Sequence, residues 1–345
     1  MGHWDKIQAL QAILKEENLD GYMVTHQSDL NYLTDFPQEG FALLVGKERA
    51  WAFLPMLLRD HFLKEVPGCE AVAGADLVEG VKNVVRENNL SQMGFDPFYE
   101  TYALGKKWTE IGFVGKGGLL GKIRVIKREE ELQRLRKACA ITAKAFRTLK
   151  PRVRPGRTER SVSLELEDLM QKMGAEGVAF ELIVASGPNS ALPHHRSSEK
   201  VIKKNEAVVI DFGCTYKLYR SDMTRTVFTG KKPDPLFQKI YGIVERSQKE
   251  GIRRVSAGKT GGEIDQVCRD IIVQEGYGDK FIHSTGHGVG VDIHEAPRVG
   301  PKSEEKLSPG MVITVEPGIY LLGKFGVRIE DTLLVTDKGS QLLTK

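Results

Sequence analysis

The sequence predicts two domains in series, an α/β domain at the amino end and then a domain that combines long helices with antiparallel hairpins. Three observations carry that prediction. The 345 residues exceed a single ordinary core, since domains typically span about 100–200 residues. Up to about residue 120, short apolar stretches of strand character alternate with amphipathic helical ones. Beyond Asn205 the pattern changes to apolar strand pairs that carry acidic residues at matching positions.

In the first domain, taken as residues 1–124, Asp20 to Val24, Phe41 to Val45, Ala50 to Leu54 and Met93 to Asp96 read as strands. A glycine-rich shift at Gly115 to Gly121 precedes the boundary, which falls near Lys122 to Lys127. The second domain, residues 125–345, opens on a helical pattern from Lys127 with Leu132, Leu135, Cys139, Thr142, Phe146 and Leu149 on one face. Pro155-Gly156 breaks it, a second helix is expected from about Thr158 to Met173, and a strand around Val178 to Ala185. Asp234-Pro235 supplies an N-cap and a first-turn proline, and Thr260-Gly261-Gly262-Glu263 has capping-box spacing.

Hydrophobic residues at 41% and charged residues at 28% are ordinary for a globular protein and argue against disordered, fibrous and membrane classes. The net charge of +4 is spread, with Lys and Arg interleaved among Glu and Asp, so no nucleic-acid partner is expected. The densest basic stretch, Lys122 to Lys137, holds Glu129, Glu130 and Glu131 and reads as the solvated face of a helix. Cys69, Cys139, Cys214 and Cys268 form no C-x-x-C pair, which suits a reducing compartment and opposes a thiolate zinc site. The amino terminus lacks the apolar core of a signal peptide, and no run approaches the roughly 18 apolar residues of a membrane span. A cytoplasmic protein without a membrane partner is expected. The glycine-rich Gly115 to Lys122 stretch has Ile123 where a phosphate-binding loop needs Ser or Thr, and Asp211-Phe212-Gly213 lacks the rest of a kinase set.

The chemistry concentrates in two hairpins. Ala207 to Gly213 reads as a strand, and Ser221 to Phe228 as its partner across a turn near Lys217. Symmetry about Tyr216 and Lys217 would set Asp211 opposite Asp222, at the about 4.5–5.5 Å where like charges destabilise. Met311 to Glu316 and Gly326 to Val335, joined across Gly323, would likewise set Glu316 opposite Glu330. A single acid on a half-buried strand needs no explanation. Two opposed pairs among Val, Ile and Phe do, because burying an unpaired carboxylate costs several kcal/mol and bound cations remove that cost. Thr285 to Gly290 presents His287 between glycines expected to let the backbone turn tightly, and His294 follows. Four carboxylates and one imidazole form a hard ligand set that suits Mn²⁺ or Co²⁺ better than structural zinc. The ligand number implies two ions that activate water and polarise a carbonyl, so peptide or amide hydrolysis is the expected reaction.

The series IDFG, SDMTRT, STGHGVG, HEAPR, VEPGIY and GVRIEDT resembles the metal-binding signature of the pita-bread metallopeptidases, in the branch of Xaa-Pro aminopeptidases and Xaa-Pro dipeptidases (prolidases). The resemblance spans the chain, since Asp29-Leu30-Asn31-Tyr32-Leu33-Thr34 resembles the creatinase-type domain that precedes the catalytic domain in this branch. It implies a creatinase-like α/β domain followed by a pita-bread catalytic domain. It further implies that Asp211 binds one metal, Asp222 and Glu330 serve both, and His287 and Glu316 bind the other, with Mn²⁺ first and Co²⁺ or Zn²⁺ as alternatives. Glu316 also resembles the family's proton shuttle. The Ala185 to His194 segment resembles the loop that sets a histidine over the substrate, here His194 with His195 as the alternative, and with His294 it would stabilise the oxyanion. Arg328, on the same strand face as Glu330, is placed to hold the carboxylates or the substrate. Arg298 reads equally as an anchor for a substrate carboxylate or as a surface arginine, and Phe180 as the edge of a proline pocket or as core.

The resemblance thus implies hydrolysis of the Xaa-Pro bond of proline-containing peptides, as an aminopeptidase in the first reading and a dipeptidase in the second, by a homodimer. A metal-free hydrolase resembling creatinase is disfavoured by the complete ligand set, and methionine aminopeptidase by the preceding α/β domain. A non-catalytic binding protein on the same fold is the most distant alternative.

Overall fold

Residues 3–345 are described by the structure, a computed structural model, in which the chain forms two units, Met1–Arg124 and Val125–Lys345. The first contains helices α1 (His3–Glu16), α2 (Gln27–Thr34), α3 (Met56–Glu65), α4 (Leu77–Glu87), α5 (Tyr102–Glu110) and α6 (Leu119–Arg124). Its strands are β1 (Gly21–Val24), β2 (Ala42–Gly46), β3 (Ala50–Leu54), β4 (Glu70–Ala73), β5 (Met93–Phe95) and β6 (Phe113–Gly115). They form a mixed sheet in the order β4-β3-β2-β1-β5-β6, with β1–β2 and β2–β3 antiparallel and the other pairs parallel. Every residue of β1, β2 and β3 is buried, which is why these strands read as unbroken apolar runs rather than as alternations.

The second unit contains α7 (Glu129–Leu149), α8 (Glu159–Lys172), β7 (Gly177–Val178), β8 (Ile183–Ser186), β9 (Ala207–Phe212), β10 (Cys214–Tyr216), β11 (Tyr219–Arg220) and β12 (Met223–Phe228). It continues with α9 (Pro235–Arg254), α10 (Gly261–Gln274), β13 (Gly286–Gly288), β14 (Glu295–Val299), β15 (Val312–Val315), β16 (Gly318–Leu321), β17 (Phe325–Arg328), β18 (Asp331–Thr336) and β19 (Gly339–Leu342). Asp234 caps α9 through the Leu236 and Phe237 amides, and Thr260 with Glu263 closes a capping box on α10.

Strand periodicity decides where the acids point. Val208, Ile210 and Phe212 of β9 join a core cluster with Leu149, Val162, Leu166 and Met170 of α7 and α8, and the Phe146 and Phe212 rings stack at 5.5 Å. Val209 and Asp211 alternate with them and face the other way. Ile313 and Val315 of β15 and Leu333 and Val335 of β18 pack with Ile264 and Cys268 of α10, which turns Thr314, Glu316 and Glu330 from that core. Each acid-bearing hairpin thus buries its apolar face under helices and leaves its acids on the opposite face.

Two expectations are corrected. The strand expected around Val178 to Ala185 is broken into β7 and β8, because β7 pairs with β10 (Val178 with Cys214) and β8 with β9 (Ile183 with Asp211) in registers that differ by two residues, which sets Phe180 in the gap. The basic stretch Lys122 to Lys137 is not one solvated face. Arg124, 6% exposed, donates to Asp29 at 2.7 Å, and Lys127, 4% exposed, pairs with Glu295 at 2.6 Å. Both lie where α6 ends and α7 has not begun, so helical periodicity does not govern them. The four cysteines are free and buried. No helix among the described residues is long and apolar enough to cross a membrane.

Candidate metal centre

The turn of the first acidic hairpin is Lys217-Leu218, both residues in the left-handed region at φ 47° and 71°, as a two-residue type I′ turn requires. Tyr216 therefore pairs with Tyr219, Thr215 with Arg220 and Asp211 with Thr224. The centre of symmetry lies one residue beyond that expected between Tyr216 and Lys217, which moves the pairing by two residues, and Asp222 is not directly opposite Asp211. A shift of two keeps every side chain on its face, so Asp222 stays on the same side, displaced along the strand. Gly213 makes this possible, since a Cβ there would stand 1.8 Å from the Ser221 carbonyl oxygen.

In the second hairpin Val315 pairs with Asp331 and Gly318 with Arg328, the register that sets Glu316 level with Glu330. Both glutamates fall in a break between two sheets. The Glu316 amide donates to the Thr285 carbonyl at 2.7 Å and the Glu330 amide to the Thr224 carbonyl at 3.1 Å. The backbone is thereby tied to the neighbouring segments at the point where the carboxylates emerge.

His287 lies in β13, between β14 and β15. Gly286 and Gly288 adopt no left-handed conformation, contrary to the tight turn expected there. They permit close approach instead: a Cβ on Gly286 would meet the Thr314 carbonyl oxygen at 2.1 Å, and one on Gly288 the Ala296 carbonyl oxygen at 2.1 Å. The His287 Nδ1–H donates to the Gly288 carbonyl at 3.1 Å, which leaves Nε2 facing Glu316 Oε1 at 3.3 Å and Asp222 Oδ2 at 3.6 Å. Thr314 accepts from the His287 amide and donates to Glu316 Oε1 at 3.2 Å.

Asp222, His287 and Glu330 bring ligand atoms within 4.8 Å of one another. Arg328, 3% exposed, donates to Asp211 Oδ2 at 2.7 Å, to the Tyr320 hydroxyl at 2.8 Å and to Thr224 Oγ1 at 3.1 Å, and Thr224 donates onward to Glu330 Oε2 at 2.8 Å. Asp211 Oδ1 and Glu330 Oε1 are buried without a hydrogen-bond partner. Burial, reinforced by neighbouring acids, pushes Asp211, Asp222 and Glu330 above the usual carboxylate range. Burial also opposes the charge on Glu316 and on His287, but their contact outweighs it, drawing Glu316 down to about 2 and His287 up to about 9. The site by itself therefore gathers protons. Orphaned acid oxygens beside an imidazole whose Nδ1 is committed to a carbonyl are the donor set a divalent cation requires.

These side chains line a cavity of about 730 Å³, within the range of small-ligand sites. His294 also lines it, 4.3 Å from His287 between ring centroids, and burial together with the His287 charge holds its pKa down. His194 is exposed in the cavity wall, and half-buried His195 beside it also lines the cavity but is bound to Glu159 at 2.9 Å. Arg298 reaches the cavity with Nη2 3.1 Å from Ser284 Oγ, and half-buried Phe180 lines the same wall. The structure thus brings all ten sequence-derived site residues to one cavity.

Three partners were not foreseen. His283 donates from Nδ1 to the Ser284 carbonyl at 2.7 Å and accepts from the Tyr320 hydroxyl, which in turn accepts from Arg328. Tyr320 ends the VEPGIY stretch and was within reach of the sequence. Nothing local marks His283 or Glu159.

Fold and site together define a two-domain metallopeptidase. The model of metallopeptidase family M24 matches residues 133–337, and that of the creatinase/prolidase N-terminal domain matches residues 6–126. A solved Xaa-Pro dipeptidase from Bacillus anthracis superposes with a TM-score of 0.96 at 40% identity, covering 100% of this chain and 98% of that one. An Xaa-Pro dipeptidase of Pyrococcus furiosus is 37% identical over 99% of this chain and 98% of its own, and a putative Xaa-Pro aminopeptidase of Mycoplasma genitalium is 33% identical over 99% and 96%. The chain belongs to metallopeptidase family M24, with a creatinase-type domain in front of a pita-bread catalytic domain. It is a hydrolase of the group that holds the Xaa-Pro dipeptidases and aminopeptidases.

Proposed function

We propose that the protein is an Xaa-Pro dipeptidase, a prolidase, that works with two divalent metal ions, Mn²⁺ first, held by Asp211, Asp222, His287, Glu316 and Glu330. The observation that carries the metal reading is the pair of buried, unpartnered oxygens, Asp211 Oδ1 and Glu330 Oε1, beside the Asp222, His287 and Glu330 ligand atoms. The motifs alone lean toward aminopeptidase action. Relatives are mostly named as dipeptidases, and Arg298 in the cavity wall supplies a guanidinium suited to the free carboxylate of a terminal proline.

Bound ions would lower the pKa of a water molecule and polarise the scissile carbonyl. Glu316 would take the water proton and pass it to the departing proline nitrogen. His294, held neutral, offers an N–H to the developing oxyanion together with His194. Arg328 keeps Asp211 aimed by its 2.7 Å hydrogen bond. Phe180 gives the proline ring an apolar wall. A homodimer belongs to the same proposal, as does a cytoplasmic setting, with which four buried free thiols agree.

Chelator-stripped protein reloaded with Mn²⁺ should hydrolyse Gly-Pro faster than Gly-Pro-Ala. A preference for the tripeptide would return the assignment to aminopeptidase, and no hydrolysis of either with two ions bound would remove it.

A further inference from the structure

One fully buried carboxylate outside the metal centre is unused by the chemistry above. Glu159, in the first turn of α8, is 0% exposed. Its Oε1 accepts from the Ser186 amide at 2.7 Å, the Ser186 hydroxyl at 2.8 Å and Asn189 Nδ2 at 3.0 Å. Its Oε2 accepts from His195 Nε2 at 2.9 Å, the Ser198 hydroxyl at 2.6 Å and the Ser198 amide at 3.2 Å. Ser186 closes β8, so one carboxylate ties the departure and the return of the loop that carries His194. The α8 amino end adds two backbone ties, Arg160 N–H to the Ser198 carbonyl at 3.0 Å and Glu159 N–H to the Lys200 carbonyl at 3.1 Å.

The apolar core does little to hold the tip of this loop. Leu192 is 47% exposed, and His194 and Arg196 are exposed. A segment with few buried apolar contacts takes its order from its polar ties. His195 supplies the tie nearest the tip: its Nε2–H points back to Glu159, and His194, one peptide unit away, is left to enter the cavity.

We infer that Glu159 is a positioning residue for the reaction: acting through His195, its buried carboxylate sets the 186–198 loop so that His194 meets the substrate. The inference rests on the reading of His194 as the substrate-facing histidine. Misplacement of a reacting group by about 1 Å can cost about 10²-fold in rate, and loss of an outer partner of a site residue typically costs about 10–100-fold.

The test compares Glu159→Gln, His195→Ala, His195→Gln and His194→Ala in the Mn²⁺-loaded full chain, reading kcat and KM on Gly-Pro and bound Mn²⁺ per chain. Glu159→Gln turns an acceptor of three donors into a competing donor, and should lower kcat about 10–100-fold with metal content unchanged. His195→Ala should lower it similarly, and His195→Gln, which restores an N–H, should recover most of the loss. In the His194→Ala background neither change should cost more than about 3-fold, because the group they position is gone. Additive losses in that background, loss of bound Mn²⁺, or equal activity of His195→Ala and His195→Gln would each overturn the inference. Full activity of His194→Ala would remove the reading beneath it. An impaired His194→Ala beside a fully active His195→Ala removes the Glu159 inference alone. If Glu159→Gln does not fold, the two His195 variants still decide the matter.

Discussion

Replacing Glu330 by Gln separates stability from metal binding and gives opposite signs with and without the ion. Glu330 is 1% exposed, its Oε2 accepts from Thr224 and its Oε1 has no donor. A buried acceptor left in this state costs about 1–3 kcal/mol, more when charged. Burial and then Asp222, Glu316 and Asp211 raise its pKa well above 4.5. A carboxyl whose folded pKa is raised lends its full stability below the unfolded value and loses it as pH climbs through the folded one. In chelator near pH 5, Glu330→Gln and wild type should therefore melt together. As pH rises toward 9 the variant should become the more stable by about 1–3 kcal/mol, because its amide can donate to the acidic neighbours without carrying a charge. For a unit of this size that is about 2–4 °C per kcal/mol. Mn²⁺ at 100 times its Kd should add about 2.7 kcal/mol to wild type and little to the variant, reversing the order. The assay is thermal or urea unfolding at several pH values with EDTA or with Mn²⁺. A variant less stable than wild type in EDTA at every pH would refute the claim that Glu330 carries an uncompensated buried charge.

His294→Ala removes one oxyanion donor and should lower kcat on Gly-Pro by about 10²–10³ with two ions still bound; an activity within a few-fold of wild type would oppose that role. Uptake of Mn²⁺ should release protons near pH 7, since His287 titrates near pH 9 and Asp222 and Glu330 are raised in the ion-free protein, and affinity should weaken as pH falls. Calorimetry in two buffers of different ionisation enthalpy measures the protons, and identical heats would count against the ligand set. Lys217→Asn, at an exposed turn position with φ 47°, should raise stability by about 0.5–1 kcal/mol, because Asn tolerates the left-handed conformation that costs Lys about 1–2 kcal/mol.

Strands and helix ends were legible because their signals are local. Ala50 to Leu54 is β3 to the residue, the other three expected strands of the first unit agree within one residue, and the caps at Asp234 and Thr260 stand where expected. The level placement of Glu316 and Glu330 was also legible, because Gly323, at φ 74°, marks its own turn. The first hairpin was less so. Its turn falls on Lys217-Leu218, two residues that carry no turn signal, and the register moved by two while the face survived through the period of the strand.

By itself, then, the sequence determined the local elements, the family and which residues carry acids and imidazoles on matching faces. Tertiary structure decided what each of them touches. Arg124 and Lys127 looked solvated and are buried beside Asp29 and Glu295; Gly286 and Gly288 make room for a neighbouring backbone rather than for a turn; Glu159 gathers donors 27 to 39 residues away. Each of these depends on segments distant in sequence meeting in space, and the desolvation that makes a buried charge consequential exists only once they have met.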